Sequence, residues 1–99
     1  MNIARDVWRF LFGTHEVAEG VTVRRWGRDH HVVKLRGRRA AVYTELCLRE
    51  VNFVLEPSSV QSWLPPHQLE GLSDEDRGEI VDAVKRFFDL NGYKYTIED

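Results

Sequence analysis

The sequence predicts an α+β domain: a mainly antiparallel sheet that meanders through five or six strands, with a C-terminal α-helix packed on one face and a short N-terminal helix. Three observations carry this. The runs Val21–Trp26, His31–Arg36 and Arg39 to about Leu48 alternate apolar and polar residues, and glycines at 27 and 37 punctuate them. Residues 73–91 show helical spacing with a cap signal at each end. A closing segment, Tyr93 to Glu98, alternates again.

At the N-terminus, Ile3, Val7, Phe10 and Leu11 form one stripe of a short helix, with Asn2 as a cap and Gly13 as a stop. The stripe is expected to dock on the sheet. In the first strand run Val21 and Val23 alternate with Thr22 and Arg24; in the second, Val33 and Leu35 alternate with Lys34 and Arg36. A period of two places aliphatics on one face and cations on the other, as a sheet with one solvated face requires. Gly27-Arg28-Asp29 and Gly37 make consecutive hairpins the economical connection.

Phe53–Leu55 and Val60–Trp63 flank Pro57-Ser58-Ser59 and read as a further hairpin or a tight reversal, with both runs extending the meander. Trp63-Leu64-Pro65-Pro66 then ends the ladder, because proline has no amide to donate. Ser73 is a suitable N-cap, with Asp76 three residues on, and Asp74, Glu75 and Asp76 crowd the first turn, where negative charge is favoured. Ile80, Val81, Val84, Phe87 and Phe88 make the apolar face, and Asn91-Gly92 ends the helix.

Ninety-nine residues suit a single domain spanning 1–99, and 42% hydrophobic with 30% charged residues is the composition of a soluble fold. Residues 1–49 hold ten Lys/Arg against five Asp/Glu and residues 50–99 hold four against eleven, which yields the net charge of −2. That division can give the domain a basic face and an acidic face. Cys47 has no disulfide partner in the chain and reads as a small core or near-core side chain in a reducing compartment. Arg5, Asp6 and Arg9 interrupt the start, so no signal peptide is read, and no apolar run approaches a membrane span. The expected setting is cytoplasmic.

Chemistry is sparse. The adjacent His30 and His31 point to opposite faces of a strand and cannot chelate one ion, and His15 and His67 stand apart. No phosphate-binding glycine loop or nucleophile elbow is present. Neither a cofactor, a metal, a small-molecule substrate nor catalysis is therefore expected. The basic stretch 24–39 offers a rival reading. Arg24, Arg25, Arg28, Lys34, Arg36, Arg38 and Arg39, with Trp26 among them, have the composition of a single-stranded nucleic-acid binder. One tryptophan is a thin stacking platform, and a pI near 6.1 makes such binding the lesser reading.

The segment from about Gly37 to Glu98 resembles the immunity protein 74 family of bacterial polymorphic toxin systems. The resemblance rests on Phe53-Val54-Leu55, the motif Trp63-Leu64-Pro65-Pro66, the acid-started helix Ser73-Asp74-Glu75-Asp76 with Ile80-Val81, and the strand Gly92-Tyr93-Lys94-Tyr95. Leu64 stands where an acid is expected. The resemblance implies a small antidote that binds and occludes a toxin encoded beside it, without turnover. Asp74, Glu75, Glu79, Asp82 and Asp89 would mimic a phosphate backbone toward a toxin with a basic active surface. Trp63 and His67 form a second candidate contact, although Trp63 better suits a core position beneath the helix. A homodimer through exposed strand edges is a third arrangement.

Overall fold

The computed structural model describes residues 13–47 and 52–99. The N-terminal helix expected over residues 2–11 lies outside them. Within them, six strands and one long helix follow in the order β1 (Thr14–Ala18), β2 (Val21–Trp26), β3 (His30–Leu35), β4 (Arg38–Cys47), β5 (Asn52–Glu56), a 3-10 turn at Pro57–Ser59, α1 (Asp74–Leu90) and β6 (Lys94–Ile97). The sheet order is β1-β2-β3-β4-β5-β6. All neighbours are antiparallel except β5 and β6, which run parallel because α1 crosses between them.

The alternation read from the sequence sets the faces. Val23, Val33, Ala40, Val42, Phe53 and Leu55 are fully buried and share the inner face with Leu35. Ile80, Val84, Phe87 and Phe88 of α1 cover them. The Phe53 and Phe88 rings stack with centroids 4.5 Å apart and an interplanar angle of 13°, a favourable pairing beyond simple burial. Burial of this helical face, and not helix propensity alone, holds α1 in place. The β3–β4 connection places Arg36 at φ 51° and Gly37 at φ 77°. Left-handed geometry at both central positions suits the twist of a two-residue hairpin.

Two expectations are corrected, and one strand is added. Strand β1 was not read from the sequence, although His15 and Val17 alternate inward there. Val60–Trp63 is not a strand. The 3-10 turn brings Ser59 Oγ to accept from the Tyr43 amide at 2.9 Å, and Leu64 N donates to Arg39 O at 2.7 Å. The segment thus runs beside β4 while its carbonyl at Val60 accepts from Arg77 Nε at 2.7 Å, outside any ladder. Cys47 is exposed, not near-core, because its position in β4 has the parity of the outer face. No helix among the described residues is long and apolar enough to cross a membrane.

Candidate protein-docking site

Local chemistry at the start of α1 builds a capped, ion-paired turn. Ser73 Oγ accepts from Asp76 N and Asp76 Oδ2 accepts from Ser73 N, both at 3.0 Å, which satisfies two helix-end donors reciprocally. The tight β3–β4 turn projects Arg36 onto the same helical flank, where it donates to Asp76 Oδ1 and Glu79 Oε2 at 2.5 Å each. The Ser73 amide above all, then the Ser73 side chain and after it Arg36, hold the Asp76 carboxyl below its ordinary range.

Beyond this clamp, a groove of about 960 Å³ opens between α1 and the β1–β2 turn. Val17, Val21, Leu35, Ala83 and Leu90 supply its apolar lining; Glu79, Asp82 and Asp89 line it from the helix, with Lys85 and Arg86 between them. Leu90 is 68% exposed. Glu79, Asp82, Arg86 and Asp89 are three or four residues apart, so they share one helical side. Glu75, Asp82 and Asp89 form no ion pair among the described residues.

The other residues singled out in the sequence fall elsewhere. Asp74 pairs with Arg77 at 2.5 Å in the first turn of α1. Trp63 is buried, and its Nε1–H donates to Gly71 O at 3.2 Å, so the ring closes the core. His67 lies in the loop before α1, where its Nδ1 bonds to Glu70. Glu70 also takes Arg38 through both carboxylate oxygens, at 2.7 and 3.2 Å. Arg38 first and His67 second hold that carboxyl below its ordinary range.

The basic stretch does not form one face. Arg25 is buried on the inner side, donating from Nε to Gly27 O at 3.1 Å, and desolvation lowers its pKa. Arg36 and Arg38 are bound to acids of α1 and its preceding loop. Arg28 is in the β2–β3 turn. Only Arg24 and Arg39 share the outer sheet face with Trp26, and Lys34 joins them there. Sequence reasoning weighs His30 only as a metal ligand and does not single out Tyr43; the two extend a row of rings from Trp26 across that face. Centroids are 6.2 Å apart for Trp26–His30 and 5.5 Å for His30–Tyr43. Their signal is strand register: Trp26 faces His30 and His30 faces Tyr43.

The model of the family described as immunity protein 74 matches residues 23–98, from β2 through β6. No curated protein and no solved structure matches the chain. The matched span contains the Trp63 motif, the capped acidic helix and the parallel closing strand, in the order just described. With most of its length matched, the chain belongs to the immunity protein 74 family.

Proposed function

We propose that this protein neutralises a bacterial toxin encoded beside it, by forming a stoichiometric complex that occludes the toxin's working surface. Membership of an immunity-protein family supports the reading. The observation that carries the contact assignment is the groove along α1, where Asp82 and Asp89, with no internal ion pair among the described residues, border an apolar lining beside the Arg36–Glu79 pair and the cations Lys85 and Arg86. Unlike charges steer a basic partner toward such a surface and accelerate encounter. Short-range packing on Val21, Leu35 and Leu90 then governs how long the complex lasts. No bond needs to be made or broken, and the antidote acts where its toxin acts, in the cytoplasm.

The test is rescue of cells expressing the neighbouring toxin, together with association rates for purified proteins. Asp82→Lys with Asp89→Lys removes acids that hold no internal ion pair, so the fold is expected to survive. Association should slow by roughly tenfold or more at low salt, and protection should fall. Full protection by that variant removes the groove from the account. Failure of the unaltered protein to rescue removes the antidote reading itself.

A further inference from the structure

The outer face of the sheet carries a second constellation, independent of the groove. Lys34 and Arg39 stand directly opposite one another in the β3–β4 register, and Arg24 is diagonal to Lys34 across β2–β3. Like charges directly opposite on one sheet face repel. None of the three forms an ion pair among the described residues. They surround a cavity of about 190 Å³ whose lining also includes the threonines at 14 and 22 and the buried Val32. Glu16, the nearest acid by register, faces Thr22 from β1 and pairs with none of them. Next to this cationic hollow runs the Trp26–His30–Tyr43 row, with Trp26 51% exposed.

We propose that this outer face is a docking surface for an acidic segment of a protein partner. Its carboxylates seat between Arg24, Lys34 and Arg39, and its apolar side chains lie against Trp26, His30 and Tyr43. The charge pattern identifies the occupant. Carboxylates entering the hollow convert the Lys34–Arg39 opposition into paired charge, and Arg with Trp and Tyr are the residue types that dominate interface energetics. A nucleic-acid strand fits less well. The rings meet one another tilted and edge-on, offering no stacked platform. Glu56 faces Tyr43 from β5, and Glu45 lies two residues further along β4 on the same face. These acids bound the cationic hollow on the Tyr43 side, so a ligand with carboxylates at the hollow and apolar groups beyond it fits better than a phosphate chain charged along its whole length.

The inference stands apart from the groove, and one experiment separates the two. The probes are a short peptide alternating Glu and Leu, its Lys-Leu counterpart and a single-stranded oligothymidylate, each titrated into the full chain with amide and indole NMR signals as the readout. The Glu-Leu peptide is expected to bind saturably and to move the signals of Trp26 and Tyr43. Lys34→Glu with Arg39→Glu should weaken it at least about tenfold and transfer preference to the Lys-Leu peptide. The milder Lys34→Gln with Arg39→Gln serves if the double reversal unfolds. Asp82→Lys with Asp89→Lys, on the opposite side of the domain, should leave peptide binding unchanged. Absence of Glu-Leu binding, insensitivity to both outer-face variants, or tighter capture of the oligothymidylate at Trp26 overturns the proposal.

Discussion

His31 Nδ1 and Thr44 Oγ1 share a hydrogen bond of 2.6 Å in the centre of the core, where neither side chain reaches water. The imidazole is enclosed by Phe53, Phe87 and Phe88, with ring centroids 5.3 to 5.5 Å away. Burial first, then the positive charge of Arg25 and the neighbouring His30, depress its pKa to about 3.

A pH dependence follows. In the unfolded chain a histidine titrates near 6.5, so between that value and about 3 the unfolded state binds a proton that the folded state refuses. Stability is therefore complete above that window and declines as pH falls through it. At pH 4.5 the loss from this residue alone should be roughly 2–3 kcal/mol. Urea midpoints measured across the window should show the slope in the natural protein and a reduced slope in His31→Phe. Equal slopes would deny His31 the role.

Thr44→Val tests the same pair from its other side. It keeps the side-chain shape but leaves His31 Nδ1 without its partner in a dry site, and should cost about 1–3 kcal/mol in equilibrium unfolding.

Trp63 should behave as a core residue. Trp63→Phe forfeits the bond from Nε1 to Gly71 O and leaves unfilled volume, for a loss of roughly 1–3 kcal/mol, and Trp63→Ala should approach about 3–5 kcal/mol. Thermal melts of the two variants check the ranking.

Gly78 lies on the exposed side of α1, and a Cβ there would meet nothing within 4 Å. Gly78→Ala is expected to stabilise the domain by about 0.5–1 kcal/mol through reduced backbone entropy of the unfolded chain. Ser73→Ala, which removes the reciprocal cap, should act oppositely by about 1 kcal/mol. Parallel denaturation curves decide both.

Much of this architecture is legible in the residues because local signals agree with the long-range fold. Ser73, Asp76 and Gly92 bracket α1, and Gly37 marks the β3–β4 turn, since each satisfies a need of the neighbouring backbone. Val60–Trp63 misleads because its apolar content suits a strand, whereas its polar backbone is engaged by Ser59, Arg39 and Arg77, distant in sequence or in an irregular turn. The site was only half legible. Helical spacing brings Glu79, Asp82 and Asp89 together, but the apolar lining opposite them comes from β1, β2 and β3, which no helical pattern announces. Composition grouped Arg25 with the other cations. Strand parity, counted from Val21 and Val23, separates it and sends it inward over the Phe53 ring, 6.0 Å from the centroid.

The parallel pairing of β5 with β6 also has a kinetic meaning. Strands β2, β3 and β4 meet neighbours only a few residues away and can zip together early, whereas Phe53 waits for Tyr95, which arrives only after the whole of α1. Ring closure over so long an intervening segment is entropically slow. Pairing of β6 is therefore expected to follow the β2–β4 hairpins, beside the strand that carries the stacked Phe53.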